Sequence, residues 1–380
     1  MKVIIAPDSF KDSLSAQAIA SAIACGWQSI FPEAEIIICP MADGGEGSIE
    51  AVLEACAGEW CEQSVQGPLG ESVKAKWGWL NTEKIALIEM AQASGIQLVK
   101  PSQRNACISS TFGTGELILA ALNAGAKEIV LTVGGSATND AGTGLLSALG
   151  AQLLDKNNNA LPKGGLALQQ LAKIDLTDFD PRIQETKFVL AADVTNPLCG
   201  KNGASYVFAP QKGATQDQVL QLDQALNHFS DISAQLLAAD KRNEPGTGAA
   251  GGLGFAAKAY LNAEFRSGIE VIAELNQLSN KIQGADWVIT GEGKFDGQTL
   301  NGKTPFGVAQ IAQRANVPVI VIAGTLGENY QELYHSGVSA AFSLTAGPIN
   351  LEEACMNAAH LIYERTIDIA RLIKISSANK

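Results

Sequence analysis

The chain has no run of lysines or arginines, and its 27 basic residues are outnumbered by 39 acidic ones, for a formal net charge of −12. That field repels a polyanion and argues against nucleic acid as a partner. A small anion can still bind, because helix N-termini and local lysines act over a few ångströms. There are three histidines, His228, His335 and His360, and none stands near a glycine-rich loop. A histidine-based nucleophilic triad therefore has little to build on. The seven cysteines contain no C-x-x-C pair. Cys56 and Cys61 lie close together, but no histidine is in sequence reach, which argues against structural zinc and for buried thiols in a reducing compartment. Nowhere do 18 apolar residues follow one another, and the apolar start Val3–Ala6 breaks at Pro7. The expectation is a soluble, cytoplasmic protein with no membrane and no nucleic-acid partner.

What the chain does have is glycine. With 38 glycines, 46% hydrophobic and 17% charged residues, it reads as a well-buried globular enzyme with many tight turns. Its 380 residues exceed the about 250–300 at which single cores stop growing, so two cores are expected. Four glycine-acid loops stand out: Met41–Gly47, Val133–Asp140, Asp193–Pro197 and Thr290–Gly297. The first, second and fourth fall between an apolar, strand-like run and an amphipathic, helix-like run, where α/β enzymes hold phosphates. Glycine lets backbone N–H groups close on an anion, and a neighbouring carboxylate can hold Mg²⁺ or take a proton. The combination suggests phosphoryl transfer.

Both ends of the chain read as alternating strands and helices. At the start, strand Val3–Ala6 precedes a helical pattern through Ala16, Ile19, Ile23, Trp27 and Ile30, then strand Ile36–Ile38 and a second helix from Ile49. Toward the end come strands Trp287–Thr290, Val317–Ala323 and Ala340–Leu344. Between and after them lie helices Val308–Ala315, Glu328–His335 and Leu351 to about Ile373, the last opened by an Asn350/Glu353 capping pattern. Neither end has enough strands for a covered parallel sheet, so the two ends are expected to share one. The predicted fold is α/β: a Rossmann-like parallel-sheet domain built from residues 1–65 and 281–380, interrupted by an inserted α/β domain of residues 66–280. In the insertion, Trp60–Val65, Val73–Trp79 and Ile85–Met90 look like antiparallel strands, and Phe112–Asn123 and Gln216–Leu237 look helical.

Ile129–Gly150 is the sharpest local signal, a β-branched strand followed by Gly134-Gly135-Ser136-Ala137-Thr138-Asn139-Asp140 and a small-residue helix. Two hydroxyls, an amide and a carboxylate within seven residues suit phosphate oxygens; an ordinary βα turn capped by Asp140 is the alternative. Gly297-x₄-Gly302-Lys303-Thr304 matches a P-loop by letters, but six residues separate it from Thr290, so partial mimicry is the better reading, with Lys303 as a point charge. Gly246-x-Gly248-x-x-Gly251 follows no strand and reads as close packing rather than a dinucleotide fingerprint. Asp8-Ser9-Phe10-Lys11 follows the first strand, and Asp43 and Glu46 follow the second, so carboxylates at adjacent strand ends offer a cation site. Asp193 follows the apolar run Phe188–Ala192 and can serve as a base toward a hydroxyl, or simply close an Asx turn.

Taken together, Ala6–Leu14, Ala42–Gly47, Gly134–Asp140, Ala192–Leu198 and Thr290–Gly293 resemble the type I glycerate kinase family, essentially end to end. Arg104-Asn105, Gly113–Leu117 and Pro210–Ala214 match as well. The chain departs from the family at Lys294, where arginine is usual, and at Ala141, where glycine is frequent. The resemblance implies ATP- and Mg²⁺-dependent phosphorylation of D-glycerate, usually at the 2-hydroxyl, with the 3-hydroxyl as the alternative. On that reading Asp193 and Lys11 are catalytic. Asp8, Ser9, Lys11, Asp43 and Arg104 bind substrate. Gly134, Gly135, Ser136, Thr138, Asn139, Lys212, Gly291 and Gly293 bind the nucleotide, and Asp43, Glu292 and Asp296 hold the metal. Two rivals are a nicotinamide-dependent 2-hydroxy acid dehydrogenase and a non-catalytic anion sensor.

Overall fold

A computed structural model describes residues 1–11, 13–45, 47–345 and 347–378. Glu46, one of the carboxylates expected at a strand end, lies outside the described residues. The protein is α/β throughout and falls into two compact units, Met1–Ala57 with Ser267–Lys380, and Gly58–Arg266. These joins differ from the 65/66 and 280/281 positions read from the sequence. Glu59–Gln66 pairs along its whole length with Ser72–Leu80 and so goes with the insertion. Helix Gly268–Leu275 packs on Ser48–Cys56 and Thr304–Arg314 and goes with the ends.

The first unit is a five-stranded sheet in the order Val338–Ser343, Val319–Leu326, Trp287–Phe295, Lys2–Ile5, Glu35–Ile38, with every pair parallel. Trp287–Phe295 is the middle strand, and Lys2–Ile5 lies between it and the edge strand Glu35–Ile38, with Ile5 level with both Ile38 and Ile289. Alternation sends Val3, Ile5, Ile289 and Ile320 into one core with Ile19, Ile23, Trp27, Ile362 and Ile369 of helices Ala16–Ile30 and Ala358–Ala378. Those helices meet closely at Gly26, where a Cβ would stand 2.8 Å from Tyr363 O. Ile4, Val288 and Val321, one residue out of step, are buried too, so the sheet is covered on both faces. Counted within this unit, the strand order is 2-1-3-4-5, a doubly wound arrangement whose switch point lies between Lys2–Ile5 and Trp287–Phe295.

The second unit has a six-stranded sheet: Glu264–Arg266, Lys187–Ala191, Glu128–Thr132 and Ile85–Glu89 run parallel, and Ser72–Leu80 and Glu59–Gln66 are added antiparallel. Ile85–Glu89 is therefore antiparallel to one neighbour only, not a member of a wholly antiparallel set. Helix Gln216–Leu237 carries Phe229 into the core, edge-on to Phe255 at 5.6 Å. It starts at a capping box in which Thr215 accepts from Gln218 N at 3.3 Å and Gln218 Oε1 accepts from Thr215 N at 2.9 Å. Thr215→Ala is expected to cost about 1 kcal/mol, read from urea denaturation midpoints.

Local departures from the sequence reading have local causes. Trp287–Phe295 does not stop at Thr290 but runs on through the fourth glycine loop, pairing Lys294 with Thr325. The segment expected as helix Glu328–His335 is a 3₁₀ turn at Tyr330–Ser336, and the last helix is broken at Asn357 into Leu351–Met356 and Ala358–Ala378.

Candidate functional site

Open α/β sheets bind ligands beyond the carboxyl ends of their strands at the switch point. In the first unit that place is a cleft of about 760 Å³, lined among others by Asp8, Ser9, Lys11, Asp43, Glu292 and Lys303. Asp8 follows strand Lys2–Ile5. Its Oδ1 accepts from Ser9 N at 2.7 Å, and its Oδ2 accepts from the Thr304 hydroxyl. Burial, and then the Asp43 carboxylate, push Asp8 up to about 7. Asp43 Oδ1 accepts from Gly45 N at 3.0 Å. Glu292 points from the neighbouring strand and is 7% exposed. It accepts from the Thr299 hydroxyl and, at 3.2 Å, from Lys303 Nζ. Burial holds its carboxyl above the usual range. Lys11 is exposed at the cleft.

The structure thus gathers Asp8, Ser9, Lys11, Asp43, Glu292 and Gly293 in one cleft. Asp296 lines a second opening of about 430 Å³ with Lys294 and Glu328. It is bound by Lys294 Nζ at 2.9 Å and by Gln298 N at 3.0 Å, and Lys294 keeps its carboxyl below the usual range. Gly291 is a packing residue: inside the strand, a Cβ there would stand 2.1 Å from Ile322 O. Thr299 and Thr304 were not singled out from the sequence. Thr304 was legible as the last residue of the P-loop-like pattern, yet here Gly302-Lys303-Thr304 begins helix Thr304–Arg314 and serves the Glu292 and Asp8 carboxylates.

Among the described residues no three acidic, histidine or cysteine side chains come close enough to hold a metal by themselves. Mg²⁺ does not ask for this, since it usually takes one or two carboxylates and completes its shell with water and phosphate oxygens. Asp43 and Glu292 line the cleft and can supply that partial donor set, with Glu292 also held by Lys303; Asp296, held by Lys294, lines the second opening instead.

Asp8 gives a test of the electrostatics. Its folded pKa lies above the ordinary 3.8, so between that value and about 7 the folded state holds the extra proton. Stability is therefore lost as pH rises through this window. Asp8→Asn is expected to melt above the parent near pH 8, with the gap closing toward pH 4. Thermal melts in metal-free buffer check it; a gap that does not vary with pH contradicts the assignment.

In the second unit, paired Thr132 and Ala191 end their strands side by side. Gly134 and Asp193 each stand two residues further on, at the same sheet edge. Asp193 is exposed. Gly134 and Gly135 are exposed, whereas Ser136, Thr138 and Asn139 are buried. Lys212, read from the sequence as a nucleotide contact, is 1% exposed and turned into the loop, donating to Ser136 Oγ and Thr138 O at 2.7 Å each. Burial brings its ammonium down to about 7, with Asp140 acting the other way. Arg104 donates to Gln211 O at 3.4 Å, beside the turn that carries Lys212. Gly248 and Gly251 are packing positions: their Cβ atoms would stand 2.2 Å from Pro197 O and 1.9 Å from Thr138 O.

No helix among the described residues is long and apolar enough to cross a membrane. Comparison with known proteins is consistent over the whole chain. Residues 3–374 match the glycerate kinase family. A glycerate kinase of Bacillus subtilis (strain 168) is 47% identical over 376 residues, 99% of this chain and 98% of that protein. The glycerate 2-kinase of Escherichia coli (strain K12) is 45% identical over 379 residues, 100% of both chains. A crystal structure described as glycerate kinase 2 from Salmonella typhimurium LT2 matches with a TM-score of 0.92 and 45% identity, covering 100% of this chain and 99% of that one. With its switch-point cleft, its second, mixed sheet and this likeness from end to end, the chain belongs to the glycerate kinase family.

Proposed function

We propose that this protein transfers the γ-phosphoryl group of ATP to the 2-hydroxyl of D-glycerate with Mg²⁺. The observation that carries the reading is the full-length likeness to a glycerate 2-kinase. The switch-point cleft supports it, since an exposed lysine beside polar and acidic groups can meet a small hydroxy acid. Lys11 answers the substrate carboxylate, with Asp8 and Ser9 orienting it. The loop Gly134–Asn139 meets nucleotide phosphate oxygens through backbone N–H groups. Asp193 accepts the hydroxyl proton as the O–P bond forms and the bond to ADP breaks. Asp43 and Glu292 would hold Mg²⁺, which when bound neutralises charge developing on the phosphoryl oxygens.

The test is ADP release with ATP, Mg²⁺ and D-glycerate, with L-glycerate and L-lactate as controls and the product examined by proton-coupled ³¹P NMR. A phosphorus doublet, from the single proton on C2, marks 2-phosphoglycerate; a triplet marks the 3-phosphate. Release no faster than the controls removes the proposal.

A further inference from the structure

Lys212 is the charged group this role leaves unexplained. It ends the 3₁₀ turn Pro210–Lys212, and Gly213 follows with φ +91°, close against Arg104 O. Its side chain is 1% exposed. A lysine gives up hydration of its ammonium only where acceptors replace the water. Here Ser136 Oγ and Thr138 O replace it, both at 2.7 Å and both from a loop more than 70 residues earlier in the chain.

The other residues of the loop are held by neutral or local bonds. Ala137 N donates to Ser94 O at 2.9 Å, and the Ser109 hydroxyl donates to Ala137 O at 2.9 Å. Asn139 Nδ2 donates to Ser205 Oγ at 2.9 Å. Asp140, the carboxylate whose charge Lys212 senses, is fixed by Thr111. Thr138 Oγ1 and Asn139 Oδ1 have no hydrogen-bond partner among the described residues. A loop that leaves buried polar atoms unsatisfied does not hold its shape by local bonding alone.

We propose that Lys212 is a positioning residue: its buried ammonium, bridging Ser136 Oγ and Thr138 O, fixes the Gly134–Asp140 loop in the shape that receives the nucleotide, and it does not itself touch phosphate. This rests on the nucleotide role given to the loop above. Lys212→Met keeps an unbranched side chain, one atom shorter, and removes the charge.

The experiment is native-state amide exchange across the full-length protein, with ADP binding by calorimetry and KM for ATP and glycerate. In Lys212→Met the amides of residues 136–140 are expected to exchange at least tenfold faster, while strand Lys187–Ala191 keeps its protection. ADP binding weakens and KM for ATP rises by at least tenfold, with KM for glycerate little changed. Lys212→Arg restores part of both. Unchanged exchange at 136–140 overturns the proposal. Faster exchange there with unchanged ADP affinity and KM for ATP upholds the clamp but takes the loop out of the nucleotide site, so the two readings fail separately. If Lys212→Met does not fold, Ser136→Ala removes one of the two acceptors; faster exchange at 137–140 supports the clamp and unchanged exchange overturns it.

Discussion

Asp193→Asn is expected to lower ADP release at saturating ATP and glycerate by about 100-fold or more, with KM for ATP little changed, because general bases contribute about 10²–10⁴ to rate. The residue stands beyond the carboxyl end of Lys187–Ala191, level with the glycine loop after Glu128–Thr132, where parallel sheets place reacting groups. Asparagine keeps the shape and one acceptor oxygen but cannot take the hydroxyl proton. Turnover within a few-fold of the parent would move the base elsewhere. Asp8, the cleft carboxylate brought up to about 7, would be the next to test, by the pH profile of kcat in Asp8→Asn.

Asp140→Ala is expected to be the most destabilising single change near the loop. Asp140 is completely buried. Its Oδ2 accepts from Thr111 N at 2.8 Å, Thr111 Oγ1 at 2.9 Å and Gly144 N at 3.2 Å, and its Oδ1 accepts from Gly142 N at 3.1 Å. Alanine leaves four donors facing an apolar interior. At about 1–3 kcal/mol for each unsatisfied buried group, a loss of about 4 kcal/mol or more is expected, even if the loop relaxes around some of them. Lys212 would also lose the one charge that favours its ammonium. Differential scanning calorimetry reads the effect; a melting temperature within a few degrees of the parent would mean that the network is dispensable.

The strands of the first sheet were legible because β-branched runs such as Val3–Ile5 and Ile36–Ile38 are continuous and short, whereas the three-residue edge strand Glu264–Arg266 of the second sheet carries no such run and was missed. The pairing of the two ends was legible only indirectly, from the shortage of strands in each. Thr290–Phe295 was opaque: glycine and charge normally end a strand, but here Gly291 is required by the backbone of Ile322, a contact between residues 31 positions apart. Lys212 could be matched to a motif, yet its direction could not be read, since lysine is seldom fully buried and its acceptors belong to a distant loop. Ala141, where the family often has glycine, keeps φ at +52°. The left-handed turn is thus retained with a methyl group in it, at about 1 kcal/mol of strain.

The interior position of Lys2–Ile5, flanked by Glu35–Ile38 and Trp287–Phe295, has a consequence for how the protein is made. A ribosome delivers this strand well before its partner Trp287–Phe295, since Ala6 and Thr290 are 284 positions apart. At about 5–20 residues per second this is a wait of about 15–60 s. Gly58–Arg266 is complete before then and can fold while the first strand, paired at most with Glu35–Ile38, presents an open apolar edge. The nascent chain is therefore most prone to self-association along this waiting strand, and slowing translation lengthens that exposure.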